Sequence, residues 1–188
     1  MSSLYLALVH YPVNNKRGET VATSVTNLDI HDIARSCRTF GVKRYFIVTP
    51  IQLQHELVGR ILGHWEKDES GMYNPDRKDA LSYVILVNSI EEAQKKIEEL
   101  EGEKPQTVVT GAGFKKFDGD TKTLKNMMAV DKLPRLVLFG TGWGLHASVV
   151  ESADFRLSSI SGAAEDGYNH LSVRSAVAIY LDRLQGSL

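Results

Sequence analysis

The chain has 188 residues, a length that fits one domain, and its 43% hydrophobic content excludes a disordered polypeptide. No apolar run reaches the roughly 18 residues of a membrane span, and the first run, with no basic segment before it, stops at His10, so neither an anchor nor a signal peptide is expected. A net charge of −1 excludes adhesion to nucleic acid over the whole surface and leaves a local basic patch, while the single cysteine, Cys37, excludes an internal disulfide framework and fits a reducing, cytoplasmic setting.

In chain order, Leu4–Val9 is a nearly continuous apolar run and reads as a strand buried on both faces. Ile30, Ile33, Ala34 and Cys37 then share one helical face, with Asn27 or Asp29 as the cap and Gly41 as the stop. Tyr45–Thr49 is the second strand, and 52–63 a second amphipathic helix carrying Leu53, Leu57, Val58, Ile61 and Leu62. The stretch Gly63–Asp79 shows no periodicity and reads as a long loop. Tyr83–Val87 is the third strand, and Ser89 with Glu92 forms a capping-box pattern that opens a helix through Leu100. Thr107–Thr110, Leu136–Phe139 and a short Phe155–Leu157 complete the strands, and a last helix runs from about Tyr168 to Leu184. This alternation predicts an α/β fold with a mostly parallel sheet flanked by helices, spanning 1–188 as a single domain.

Glycine is unevenly spread: nine of the fifteen fall between Gly102 and Gly167. Two of the clusters, Thr110-Gly111-Ala112-Gly113 and Phe139-Gly140-Thr141-Gly142-Trp143-Gly144-Leu145, directly follow strands. Glycines there let backbone approach a ligand closely, at the sheet edge where open α/β folds bind ligands. A dinucleotide fingerprint does not fit, because Gly140, Gly142 and Gly144 are spaced evenly by two, and no Walker A loop is present. The histidines at 10, 31, 55, 64, 146 and 170 form no metal-ligand spacing, so no metal is expected. Cys37, on an apolar helix face, reads as a buried small hydrophobe rather than a nucleophile. No Gly-x-Ser-x-Gly elbow is present.

A third cluster follows: Ile160-Ser161-Gly162, then Asn169-His170-Leu171-Ser172-Val173-Arg174-Ser175-Ala176. Taken in order, the C-terminal signals resemble the second and third motifs of the SPOUT superfamily of S-adenosylmethionine-dependent RNA methyltransferases. Asp29–Val42 resembles the first, with Arg35 six residues before Gly41. The resemblance covers almost the whole chain and runs closest to a small bacterial group sometimes fused to tRNA (guanine-N1) methyltransferases. It implies a C-terminal deep trefoil knot, a homodimer, and S-adenosylmethionine held mainly by backbone at Thr110, Gly111, Ala112, Phe139, Gly140, Thr141, Gly142, Gly144, Leu145, Ile160, Ser161, Gly162, His170, Leu171, Ser172 and Val173. Three departures stand out. The second-motif turn lacks a glutamate that many ribose-methylating members carry, Ser172 stands for a frequent asparagine, and Arg174 for a small serine.

The implied activity is methylation of tRNA or rRNA, with the ribose 2′-hydroxyl favoured over a base. Arg35 is the implied catalytic residue, clamping a phosphate or stabilising an alkoxide. His170 and Asn169 are weaker candidates for orienting ligands, and Glu165 and Asp166 for proton transfer to a base edge. Local patches for RNA are Arg35, Arg38, Lys43 and Arg44, and Lys115, Lys116, Lys122 and Lys125. The mixed-sign run Glu91–Lys104 reads as an exposed helix face. The alternatives are a non-catalytic RNA-binding or assembly module with the same fold, and a different α/β enzyme holding a nucleotide in the glycine-walled cleft.

Overall fold

A computed structural model describes residues 2–67 and 73–187. Strands β1 (Leu4–Val9), β4 (Tyr45–Val48), β5 (Val84–Val87), β6 (Gln106–Val109), β7 (Arg135–Gly140) and β8 (Phe155–Arg156) form one sheet in the order β5-β4-β1-β7-β6-β8. Every pairing in it is parallel. A two-stranded hairpin, β2 (Val13–Asn14) and β3 (Thr20–Val21), follows β1. The helices are α1 (Asn27–Thr39), α2 (Gln52–Lys67), α3 (Pro75–Leu81), α4 (Ile90–Glu101), α5 (Thr121–Val130), α6 (Ala147–Glu151) and α7 (Val173–Gln185).

All six residues of β1 are buried, which is why the strand is apolar throughout rather than alternating. Leu4, Leu6 and Leu8 point to one face and join Ile30, Ile33 and Cys37 of α1 with Val177, Leu181 and Leu184 of α7. Tyr5, Ala7 and Val9 point to the other and meet Ile90, Ala93 and Ile97 of α4. Burial pushes the Cys37 thiol up, so it stays an inert part of this core.

The expected strands all form, with ends shifted by at most a residue. The ends of the helices differ more. Thr26, not Asn27 or Asp29, caps α1: its Oγ1 accepts from Asp29 N at 3.2 Å and donates to Asp29 Oδ2 at 2.6 Å. Ser89 caps α4 as expected, but the Glu92 carboxylate returns one residue earlier, to the Asn88 N–H at 2.8 Å. Those Asn88 bonds, with Lys96 nearby, hold the carboxyl below its usual range. The last helix starts at Val173 rather than near Tyr168, because Ser172 adopts extended backbone and caps it. The stretch Gly63–Asp79 is not one loop: α2 continues to Lys67 and α3 begins at Pro75, behind the Asn74 cap. Its middle, 68–72, lies outside the described residues. Among the described residues no helix is long and apolar enough to cross a membrane.

Candidate functional site

Strand order reverses between β1 and β7, and the carboxyl ends of neighbouring β6 and β7 open into a cleft of about 840 Å3. Ligands enter α/β sheets at such a place. Three loops wall it: 110–114 after β6, 140–145 after β7, and 169–174 leading into α7. Of the cofactor residues expected from sequence, all line this cleft except Ser161 and Gly162, which are exposed behind Ile160.

Local bonding fixes each wall. Thr110 is buried and gives both its N–H (3.2 Å) and its hydroxyl (3.0 Å) to the Leu138 carbonyl, tying β6 to β7 where the turn begins. Ser159 Oγ donates to the Gly111 carbonyl at 2.7 Å and accepts from Phe114 N, joining the loop after β8 to that turn. Gly140 has no room for a side chain, since a Cβ would lie 2.6 Å from Leu145 N. Gly142 sits at φ +59°, the left-handed region that glycine adopts without strain. The β2–β3 hairpin braces this second turn: Asn14 N bonds the Gly144 carbonyl, its Nδ2 the Leu145 carbonyl at 3.1 Å, and its own carbonyl accepts from Trp143 N. Asn169 Nδ2 donates to the Ile160 carbonyl at 2.7 Å, so this residue shapes the third wall through its own chain. The backbone N–H groups of Ala112, Gly142 and Leu171 make no hydrogen bond among the described residues and remain open to a ligand.

Sequence reasoning missed the wall formed by Thr23, Ser24, Thr26 and Asp29. Thr-x-x-Asp at 26–29, a capping pattern, was the available local signal. Asp29 is also the anchor of an ion-pair strut. Arg174 Nη1 lies 2.9 Å from Asp29 Oδ1 and its Nε 3.5 Å from Asp32 Oδ2, which links the start of α7 to α1. Arg174 thus has carboxylate partners, and Asp29 is the one carboxylate on the described cleft wall.

Beneath the turns runs a hydroxyl relay. Thr141 Oγ1 donates to the Val9 carbonyl at 3.0 Å, Thr23 Oγ1 contacts Thr141 Oγ1, and His10 Nδ1 lies 3.0 Å from Thr23 Oγ1. Each hydroxyl has one hydrogen, so Thr23 donates to Thr141 and must accept from His10. That assigns the neutral Nδ1–H tautomer and leaves Nε2 a buried lone pair without a partner. Burial lowers the His10 imidazole to about 4. An unfolded histidine titrates near 6.5, so below that pH the unfolded chain takes up a proton that the folded chain refuses. Stability is therefore full above pH 6.5 and falls by up to about 3 kcal/mol as pH drops toward 4. Urea unfolding across this range measures the loss, and His10→Asn, whose amide can still donate to Thr23, should flatten it.

Arg35 does not line this cleft. It faces a second one, of about 550 Å3, between α1, α2 and α3. The basic segment around it divides: Arg38 pairs with Asp79, and Arg38 and Arg44 both lean on the Tyr83 ring. In the other patch Lys115, Lys116 and Lys122 are exposed, and Lys125 Nζ bonds the Gly186 carbonyl at 3.1 Å. Glu165 and Asp166 sit in an exposed loop outside the cleft, where Asp166 accepts from Tyr168 N.

Residues 3–186 match a protein family described as SAM-dependent RNA methyltransferase. A protein of Oleidesulfovibrio alaskensis named tRNA (guanine-N(1)-)-methyltransferase is 46% identical over 187 residues, covering 98% of this chain. The chain spans 42% of that relative's length. A protein of Aquifex aeolicus is 36% identical, with 97% of this chain and 88% of its own length aligned. Among solved structures, the SpoU methyltransferase AviRb from Streptomyces viridochromogenes, in complex with AdoMet, has the same fold: TM-score 0.55 at 18% identity, over 97% of this chain and 57% of that one.

Proposed function

The chain belongs to the SAM-dependent RNA methyltransferase family, and from that premise we propose that it methylates a ribose 2′-hydroxyl in a tRNA or ribosomal RNA. The observation that carries the reading is the glycine-walled cleft at the strand ends, whose size suits a nucleoside-sized ligand. S-adenosylmethionine supplies a methyl group on an electrophilic sulfonium. Thr110–Ala112, Phe139–Gly142, Gly144, Leu145, Ile160 and His170–Val173 hold it, largely through main chain that side chains would obstruct. Gly140 is required by the turn itself, whose own backbone fills the space of a Cβ. Ser161 and Gly162 shape the loop behind Ile160.

The choice of ribose rests on what faces the cleft. Methylating a guanine nitrogen calls for a base to take its proton, and the cleft lining offers only the Asp29 carboxylate and the His170 imidazole. Asp29 has one oxygen committed to Arg174 and the other to Thr26. A hydroxyl can instead be activated by an oriented phosphate, the role assigned to Arg35, which stands about 9 Å along α1 from Asp29 and faces the neighbouring cleft. His170 and Asn169 orient ligands at the third wall. Base methylation is the second reading, favoured by the name of the Oleidesulfovibrio relative, much of whose length lies outside this match.

We infer further that 1–188 forms one SPOUT domain with its C-terminal segment knotted, working in the cytoplasm. A second copy would cover the exposed Trp143, Tyr168 and Leu171 near the cleft, giving a homodimer. The decisive experiment incubates the protein with tRNA, rRNA and labelled S-adenosylmethionine and identifies the methylated nucleoside by mass spectrometry. A 2′-O-methylnucleoside is expected. N1-methylguanosine would replace the ribose reading by the base one, and no methylated nucleoside would count against both.

A further inference from the structure

The second cleft has a composition that the cofactor site does not explain. Arg35 comes from α1, Arg60 from α2 and Arg77 from α3, so three separate elements bring guanidinium groups to one concavity. Among the described residues no carboxylate pairs with any of the three. Asp32, the acid on the wall, is turned to Arg174 Nε. Gathering unpaired like charges costs free energy in the empty protein, which an anionic ligand would recover.

Arg77 is also placed rather than loose. The Arg77 guanidinium lies 5.0 Å from the centre of the Trp65 ring, a cation–π stack that holds its fork toward the cleft. His31 meets the same ring edge-on at 5.6 Å, and its Nδ1 is buried without a partner. Burial chiefly lowers the His31 imidazole, with Arg77 adding to the effect and Asp32 opposing it. A rigid aromatic floor with planar, multiply donating cations around it suits a phosphodiester and the nucleotide it carries.

We propose that this arginine cleft binds a phosphodiester segment of the RNA substrate, beside the nucleotide to be methylated. The proposal rests on RNA being the substrate. The two clefts share a wall in the first half of α1: Asp29 faces the cofactor cleft, Asp32 faces the arginine cleft, and Arg174 holds both. Their Cα atoms are about 5 Å apart along the helix axis, so one strand of RNA can lie across both. RNA held here would present its next nucleotide to the cofactor cleft, across the boundary marked by Asp29, Arg174 and Asp32.

The test measures binding of a mixed tRNA pool to the intact protein over a range of salt, with S-adenosylmethionine affinity measured in parallel. Arg60→Gln and Arg60→Gln/Arg77→Gln should weaken RNA binding, the double variant by at least about tenfold. Each lost phosphate contact should reduce the salt slope by about 0.7–0.9. Arg60→Lys, which keeps the charge at an exposed position, should keep the slope. The charge-matched control Lys95→Gln/Lys104→Gln, on and just beyond α4, should leave RNA binding near normal. Unchanged RNA affinity in the double variant would overturn the proposal, as would an equal loss in the control. Inorganic phosphate and polyglutamate serve as competitors, and displacement of RNA by either at equivalent charge would make the cleft a general anion site and overturn the RNA assignment. If the unmodified protein fails to bind S-adenosylmethionine, the methyl-transfer reading fails while the RNA result still decides this cleft.

Discussion

Gly142→Val is expected to weaken S-adenosylmethionine binding by about 100-fold or more, equivalent to roughly 2.7 kcal/mol, while the sheet stays folded. Gly142 occupies φ +59°, where an L-residue pays about 1–2 kcal/mol and a β-branched one more. A Cβ there would also press to 3.2 Å on both the Asn14 carbonyl oxygen and Thr23 Cγ2. The turn must therefore move, and it moves at the wall assigned to the cofactor. The position itself lies exposed beyond the end of β7, so the change neither fills nor empties the sheet core. Isothermal titration with S-adenosylmethionine, beside a thermal melt, separates the two effects. Gly142→Ala should give an intermediate loss, since it meets the dihedral penalty without the branched side chain. A valine variant that binds normally would show that this turn is not the cofactor wall.

Arg174→Ala is expected to destabilise the fold by about 3 kcal/mol, near the lower end for breaking a buried ion pair because the arginine is itself partly exposed. Asp29 has only 7% of its side chain exposed, and without Arg174 its charge keeps the Thr26 hydroxyl as its hydrogen-bond partner but loses its cation. The penalty comes from the stranded carboxylate rather than from the missing contact. Asp29→Asn in the same chain should recover much of it, because a neutral amide needs no counter-ion. Urea unfolding of the two single variants and the double one gives the coupling energy directly. Strict additivity would mean that the strut between α1 and α7 contributes nothing.

Strands buried on both faces announce themselves as unbroken apolar runs, so the parallel sheet was legible from composition along the chain. The short helices were not. α5 places only Leu124 and Met128 in the core, and α3 only Ala80 and Leu81, too few inward positions to establish a period. The hairpin strands are two residues each, below any useful pattern. At the site, the glycine turns could be read because tight backbone leaves a mark on a local stretch of sequence. Thr23, Arg60 and Arg77 leave none, since what matters about them is which distant residue they meet. Sequence proximity groups Arg35 with Arg38 and Arg44. Folding instead brings it Arg60 and Arg77, while Arg38 is neutralised by Asp79.

The hairpin that braces the glycine turn has a consequence for the timing of assembly. The Asn14 bond to Leu145 and the Asp29 pair with Arg174 span 131 and 145 residues of chain. Such separations raise the contact order, and contacts of that kind form late because the intervening loop must first be closed. During synthesis β1, β4 and β5 are complete well before Gly140 is made, so half of the sheet can pair while the cleft still lacks two of its walls. Within this stretch of chain the cleft is thus completed after the half-sheet that underlies it.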